Sequence, residues 1–281
     1  MTTPSLGTNL PTPIKHEMPA LRVLVYGEPG VGKTQLALSF PKPLVVNTDG
    51  GLEGGAIEQL RARGGDGEEW LPEKWKDLNA LYFWLKQQVE KRGYETIVID
   101  SLSELCVLLL HEAMEAETKL RGEGSERERM ISAELQDFGK VAYAVDLFLK
   151  DLKQLSLQKN VHIVLTGGVR KIDPEKNRYK RQVDAQDAVE GAAMYWANVG
   201  GELVIKEFKD GDKTEGNPPK PVMIEKRVLW TNPADRERRN KTRFAALYPG
   251  VIEPTFPKFQ AEIEKRLQEQ ANTEPAQEAK K

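Results

Sequence analysis

The sequence predicts an α/β fold with a mostly parallel central sheet, flanked by helices and followed by a small C-terminal β extension. Two observations predict it. Short apolar, β-branched runs typical of buried parallel strands recur along the chain, and amphipathic helical segments separate them. Several of these runs also end in a glycine-rich turn or an acidic residue, as strands do at the ligand-binding edge of such a sheet.

The first strand, over 21–26, leads into a glycine-rich loop and then a helix predicted over 34–40. The segment Gly27–Thr34 fits G-x-x-x-x-G-K-[ST], the phosphate-binding P-loop. Its glycines allow a tight turn that points N–H groups at phosphate oxygens. Lys33 can reach the β- and γ-phosphates, and the Thr34 hydroxyl can bind Mg²⁺. The predicted phosphate-binding residues are Gly27, Glu28, Pro29, Gly30, Val31, Gly32, Lys33, Thr34 and Gln35.

Two later strands carry a carboxylate to the same edge of the sheet. The strand over 43–49 ends at Asp49, a candidate to orient or deprotonate an attacking water. Alternatively Asp49 only caps the glycine-rich turn that follows, and Glu53 is a weaker rival for the catalytic role. The strand over 96–101 contains Asp100, which downstream of a P-loop predicts a Walker B carboxylate that supports Mg²⁺. A serine follows this aspartate where many AAA+ ATPases have a catalytic glutamate.

The middle of the chain is predicted to be helical between loops. Residues 54–76 are predicted to be a loop, and apolar spacing predicts helices over 77–91 and 102–117. The charged stretch 119–129 breaks the pattern and is predicted to be a solvated loop. A long amphipathic helix is then expected over 131–158.

A strand over 161–166 brings Thr166 to the ligand edge as a candidate γ-phosphate sensor, and a basic segment follows at 170–181. That segment holds six basic residues against two acidic ones, together with one tyrosine. A basic loop or hairpin tip with an aromatic side chain suits single-stranded nucleic acid, through phosphate contacts and base stacking. The alternative is an ordinary solvated charge run. The predicted nucleic-acid contacts are Arg170, Lys171, Lys176, Arg178, Tyr179, Lys180 and Arg181.

The C-terminal third is predicted to be a short β extension. We expect, in order, a helix over 188–200, strands over 203–205, 222–224 and 228–230, an irregular segment over 247–257, and a helix over 259–268. The expected organisation is a flexible arm over 1–20, an ATPase-like core over 21–258, and a short helix with a disordered tail over 259–281.

Composition narrows the function classes. The net charge of −2 means that any nucleic-acid binding must come from a local basic patch. The single cysteine, Cys106, excludes an internal disulfide framework and a cysteine-rich zinc site, and the three histidines lack metal-ligand spacing. Since no apolar run approaches the roughly 18 residues of a membrane span, the sequence predicts a cytoplasmic protein without a membrane partner.

The ordered set of motifs resembles the RecA-core P-loop ATPases, most closely the short phage-encoded ATPases of single-strand annealing and recombination (Sak type). The segments that carry the resemblance are Gly27–Thr34, 47–50, 97–101, 170–181 and 190–197. The resemblance implies ATP and Mg²⁺ as cofactors and slow, DNA-stimulated ATP hydrolysis. It also implies single-stranded DNA as ligand, a ring or filament of identical subunits, a single-strand DNA-binding protein as a further partner, and a role in strand annealing or exchange in a bacterial host.

The resemblance also implies roles for individual residues. Asp49 occupies the place of the catalytic carboxylate, which is usually glutamate, and 119–129 and 170–181 fall where the family has two DNA-binding loops. Lys241 and Arg243 resemble the K-x-R pair that ring ATPases of the DnaB type insert into a neighbour's site, where they would stabilise phosphate charge. The alternative for that pair is ordinary surface charge. Gly168 departs from the family, which has a polar γ-phosphate sensor there.

Two other functions fit the same motifs. The first is a helicase or helicase loader with the RecA fold. The second is a nucleotide-dependent scaffold with no nucleic-acid partner, which the near-neutral net charge allows.

Overall fold

A computed structural model of the chain describes residues 18–50, 52, 55–62, 65–121, 135–172, 180–215, 220–235 and 237–273. The strands are β1 Arg22–Tyr26, β2 Pro43–Asn47, β3 Glu68–Trp70, β4 Thr96–Asp100, β5 His162–Gly167, β6 Val169–Lys171, β7 Arg181–Val183, β8 Val199–Glu215, β9 Lys220–Trp230, β10 Lys241–Thr242 and β11 Gly250–Ile252. The α-helices are α1 Lys33–Ala37, α2 Gly55–Ala62, α3 Trp75–Arg92, α4 Leu102–Arg121, α5 Leu135–Lys159, α6 Asp187–Trp196 and α7 Phe256–Thr273, and a 3₁₀ helix spans Ala245–Leu247.

The central sheet has the strand order β11-β9-β8-β1-β5-β4-β2-β3, with β10 paired to β8. Strands β1 to β5 pair in parallel, and the beginning of β8 continues the parallel part beside β1. Strands β9, β10 and β11 add to it antiparallel. The predicted α/β fold, with its mostly parallel sheet and C-terminal β extension, is therefore confirmed.

Both faces of the central strands are buried. In β1, Leu24 and Tyr26 enter the core formed with α3, α4, α5 and α6. Val23 and Val25 enter the core on the opposite face, which includes residues of α1 and α7. Successive side chains of a strand point to opposite faces, so a strand covered on both sides is apolar at nearly every position. This requirement explains why the sequence shows uninterrupted apolar runs at β1, β4 and β5.

Two predicted loops contain regular structure. Residues 54–76, predicted to be a loop, include α2 and β3. Strand β3 pairs only with β2 at the edge of the sheet, so its Glu-Glu-Trp sequence needs no continuous apolar face. Within 247–257, predicted to be irregular, lie β11 and the start of α7. Both predictions were wrong, and for β3 and β11 the reason is that edge strands bury only part of their surface.

The predicted boundaries differ at several other elements. The strands expected over 222–224 and 228–230 are one strand, β9, whose charged middle, Glu225–Arg227, stays in register with β8. Helix α4 continues through Arg121, so the first residues of the loop predicted over 119–129 are helical. The rest of that loop lies outside the described residues, as does the N-terminal arm over 1–17. Helix α7 runs to Thr273, past the predicted end at 268.

No helix in the part of the chain that the structure describes is both long enough and apolar enough to cross a membrane.

Candidate nucleotide-binding site

The P-loop connects the carboxyl end of β1 to α1, at the centre of the sheet. Gly30 and Gly32 have φ angles of 79° and 94°, in the left-handed region that favours glycine. Gly27 is required for a different reason, because a Cβ atom there would lie 2.5 Å from the backbone oxygen of Leu203 on β8. The loop conformation therefore depends on glycine at these three positions of the motif.

We expect Gly27→Ala to lower the free energy of unfolding by about 1–3 kcal/mol, since the added methyl group collides with the rigid backbone of β8. Urea denaturation measures this change. Gly139→Ala is the matched control, because that glycine lies within α5 and its added Cβ has no neighbour within 4 Å from other elements among the described residues. The control should raise the free energy of unfolding by up to about 1 kcal/mol through helix propensity. Equal stability of Gly27→Ala and wild type would contradict the close approach.

Lys33 folds back over the P-loop. Its Nζ donates to the carbonyl oxygens of Gly27 and Glu28, both at 3.0 Å. Burial lowers the pKa of Lys33, and the negative charges of Asp100, Asp49 and Glu28 oppose that shift. An ammonium group held at the mouth of a loop of backbone N–H groups fits the β- and γ-phosphates of a nucleotide.

Asp100 receives two side-chain hydrogen bonds at the end of β4. The Thr34 hydroxyl donates to its Oδ2 at 2.7 Å, and the buried Thr166 hydroxyl donates to its Oδ1. Burial raises the pKa of Asp100, while the hydrogen bonds from Thr166 and Thr34 lower it. A threonine hydroxyl beside a carboxylate is the oxygen donor set that P-loop proteins offer to Mg²⁺, so the residues present fit the ion.

Asp49 lies beyond the end of β2, which stops at Asn47, and its side chain is exposed. Its charge is close enough to affect the pKa of both Lys33 and Asp100. In the turn that follows β2, the Gly50 N–H donates to the Asn47 side chain at 2.8 Å. The Asn47 side chain therefore caps this turn, and the two roles suggested for Asp49, catalysis and capping, stay predictions. The rival Glu53 lies outside the described residues.

A second carboxylate near this edge, Glu69 on β3, was not found from the sequence. The Asn47 amide donates to Glu69 at 2.6 Å, which ties the edge strand to the end of β2. Glu69 was missed because its segment was predicted to be a loop. An acidic residue that lies before a tryptophan in a short charged run carries little signal by itself.

The basic segment forms the antiparallel pair β6–β7, which agrees with a hairpin, and Lys176, Arg178 and Tyr179 lie outside the described residues. Arg181 and Lys171 lie 3.2 and 3.6 Å from the carboxylate of Glu28 in the P-loop. Arg181 also pairs at 2.5 Å with the fully buried Glu202 on β8. The base of the basic hairpin is thus joined to the P-loop by ion pairs.

Three further ion pairs lie around this hairpin. Arg170 lies 2.5 Å from Asp187 at the start of α6, and Arg238 lies 2.9 Å from Glu202. Glu190, fully buried on α6, pairs with Arg239. Burial raises the pKa of Glu190 to about 7, against the effect of Arg239. These contacts were not predictable from the sequence, since each joins residues of different elements that only the fold brings together.

Lys241 and Arg243 lie away from their own chain's P-loop. The Lys241 ammonium donates to the carbonyl oxygens of Met194 and Tyr195 at 3.1 and 2.7 Å, at the end of α6. Burial, followed by nearby cations such as Arg243, lowers the pKa of Lys241 to about 8. Lys241 pairs with Gly200 in β8, toward the amino end of the parallel strands. Both residues therefore lie apart from the P-loop of their own chain, and their predicted action in a neighbouring subunit stays a prediction.

A strand, a glycine loop and a helix lie at the centre of a parallel sheet, and Asp100, two strands away, accepts a hydrogen bond from Thr34 of the loop. This arrangement defines a P-loop protein of the α/β class. Residues 20–243 match a family of AAA domains (AAA_24), and the chain belongs to this family. No curated protein sequence matches the chain. A similar solved structure is the crystal structure of the RadB recombinase, which is 18% identical. The alignment covers 74% of this chain and 87% of that chain, with a TM-score of 0.42.

Proposed function

We propose that the protein is a slow, Mg²⁺-dependent ATPase that binds single-stranded DNA and promotes strand annealing or exchange in recombination. The observation that carries this proposal is the set of ion pairs between the basic hairpin and Glu28 of the P-loop. These ion pairs join the basic hairpin, whose composition suits DNA, to the P-loop, whose geometry suits ATP.

Membership of an AAA domain family and the geometry of the P-loop support the nucleotide half of the proposal. When bound, Mg²⁺ would neutralise charge on the β- and γ-phosphates. Thr34 would bind the ion, and Asp100 would accept hydrogen bonds from its water ligands. Lys33 would leave the two loop carbonyls and donate to the phosphates. Asp49 would orient the attacking water, and slow turnover is expected because aspartate reaches less far than glutamate.

The position of Lys241 and Arg243 supports an assembly of several subunits. Both cations lie away from the P-loop of their own chain, as the resemblance to a K-x-R pair that acts in a neighbouring subunit requires. Charge supplied in trans to a transferring phosphoryl group is a strong catalytic device. We therefore propose a ring or filament, with these two residues completing each adjacent site.

Charge and exposure around the hairpin support the DNA half. Lys171 and Lys180 have side chains that are 73% and 55% exposed, so they can exchange their present carboxylate partners for phosphates. Lys176, Arg178 and Tyr179 lie between them in the sequence. Arg181 is only 22% exposed and is held by two carboxylates, so we assign it to anchoring the hairpin rather than to DNA. A single-strand DNA-binding protein and a phage origin remain expectations from the resemblance.

The test is the rate of ATP hydrolysis with and without single-stranded DNA, at 50 and 200 mM salt. The proposal expects DNA to stimulate hydrolysis, and expects the stimulation to fade at the higher salt as phosphate contacts are screened. ATP binding without any stimulation would favour the nucleotide-dependent scaffold. Unwinding of a tailed duplex would favour the helicase.

Replacing Lys176, Arg178 and Lys180 with alanine should weaken single-stranded DNA binding by at least about tenfold, because three phosphate contacts are removed. The slope of log affinity against log salt should become shallower by roughly 2 for the same reason. Fluorescence anisotropy with a labelled oligonucleotide measures both quantities. The matched control removes the same charge elsewhere, with alanine at the exposed Lys86, Lys91 and Lys265. If both triple variants bind DNA equally well, the hairpin is not the DNA-binding segment.

A further inference from the structure

Arg227 lies against the P-loop although no motif contains it. It belongs to β9, and a Cβ atom added to Gly32 would lie 2.8 Å from its Nη1. The same nitrogen donates to the side chain of Gln35, at the start of α1. A guanidinium group therefore lies beside the two residues that flank Lys33 and Thr34.

Glu253 fixes the position of this guanidinium. Its carboxylate accepts from the Arg227 backbone N–H at 2.6 Å and from the side chain at 3.1 and 3.4 Å. The Arg227 side chain is 31% exposed, so part of the guanidinium remains accessible. Because Glu253 holds the backbone and the side chain together, the arginine is oriented before any ligand arrives.

The sheet topology shows which end of a nucleotide would meet Arg227. Strand β1, which leads into the P-loop, has β5 and β4 on one side and β8 and β9 on the other. Asp100 on β4 lies on the side of the P-loop where Mg²⁺ and the γ-phosphate would bind. Arg227 on β9 lies on the opposite side, next to Gln35. Since P-loop N–H groups bind the α- and β-phosphates in a row, this opposite flank belongs to the α-phosphate and the ribose.

We propose that Arg227 binds the α-phosphate and ribose end of the nucleotide, exchanging its hydrogen bond with Gln35 for the ligand. This inference rests on the proposed function, namely that the P-loop binds ATP. A guanidinium offers a planar fork of N–H groups that matches phosphate oxygens, and it stays charged at all accessible pH values. The ligand is a nucleoside diphosphate or triphosphate, and Arg227 contacts the α-phosphate and the ribose, which both nucleotides contain.

The proposal makes Arg227 a binding residue that does not act on the chemical step. The bond that breaks lies at the γ-phosphate, on the far side of the loop, so the contact is equal in the ground state and the transition state. An interaction of this kind lowers KM without raising kcat. Removing it should therefore raise KM and leave kcat unchanged.

The experiment compares Arg227→Ala, Arg227→Lys and wild type by calorimetric titration with ATP and with ADP, together with steady-state kinetics. Arg227→Ala should weaken the binding of both nucleotides by about 10- to 100-fold, as expected for loss of a charged hydrogen bond. The kcat should stay within about twofold of wild type. Arg227→Lys retains the charge and the pair with Glu253, so it keeps the fold if the alanine variant does not, and should lose several-fold in affinity.

The neighbouring Lys226→Ala is the matched control, since the Lys226 ammonium lies 5.9 Å from the ring centre of Phe208, a residue of β8. It should bind ATP and ADP as the wild type does. Unchanged affinity in both Arg227 variants, with wild type still binding ATP, would overturn this inference and leave the proposed function standing. A fall in kcat with unchanged affinity would also overturn it. If wild type binds neither nucleotide, the proposed function itself fails.

Discussion

ATP hydrolysis by the Lys33→Ala variant should be slower than in the wild type by a factor of roughly 10²–10³, the usual cost of removing one charged group that stabilises the reacting phosphate. The ammonium group already lies at the mouth of the P-loop, 3.0 Å from two of its carbonyl oxygens. Nucleotide binding should weaken as well, because the charge acts on the β- and γ-phosphates.

Phosphate release in a continuous assay, together with an ATP titration, measures both effects of the Lys33 substitution. Lys42→Ala is the control, because Lys42 is an exposed lysine 2.9 Å from Glu95 at the surface. A surface ion pair of this kind contributes little to stability. Normal turnover by Lys33→Ala would remove the P-loop from the proposed catalytic site.

The second large effect is expected from Asp100→Asn. The substitution keeps the size of the side chain and removes the negative charge that supports Mg²⁺, so turnover should fall by roughly 10²–10³-fold and require much more Mg²⁺. Burial already raises the pKa of Asp100, which means that the fold disfavours the charged form. Asparagine keeps only one acceptor oxygen for the two threonine hydroxyls, so the loss of one hydrogen bond offsets this gain. The stability without nucleotide should therefore stay within about 1–2 kcal/mol of wild type.

A Mg²⁺ titration of turnover, combined with thermal unfolding, separates these two effects of Asp100→Asn. Asp146→Asn is the control, because that carboxylate lies on the surface of α5 with Lys150 as its partner at 2.6 Å. Loss of activity together with a large loss of stability would indicate that Asp100 has a structural role only. Full activity at low Mg²⁺ would remove Asp100 from the metal site.

The central strands and the P-loop were predictable because each is specified locally. A strand buried on both faces must be apolar throughout, which made β1, β4 and β5 visible in the sequence, and the spacing of glycines with Lys33 and Thr34 is set by phosphate geometry. The α/β fold and the positions of Lys33, Thr34 and Asp100 followed from these features. Helix α3 was also predictable, and its end at Gly93 has the positive φ expected of a helix C-terminus.

The features that escaped prediction depend on contacts between distant segments. Arg227 lies in a charged stretch of β9 that resembles a solvated surface, and only the pairing of β9 with β8 brings it to the P-loop. The ion pairs of Arg181 with Glu28 and Glu202 also escaped prediction. In the sequence Arg181 is one of six basic residues in a short segment, and its charge alone does not reveal these partners. Strand β3 escaped because an edge strand with one neighbour needs no apolar pattern.

The position of β1 has a consequence for synthesis of the chain. Its two neighbours, β5 and β8, begin at His162 and Val199, whereas β1 itself begins at Arg22. A ribosome therefore exposes an apolar strand with both edges unpaired long before it has made the strands that cover it. Such strands readily pair with other chains. Newly made protein should depend on chaperones until β8 has emerged, and fragments that end before β8 would carry the complete glycine motif without a formed phosphate loop.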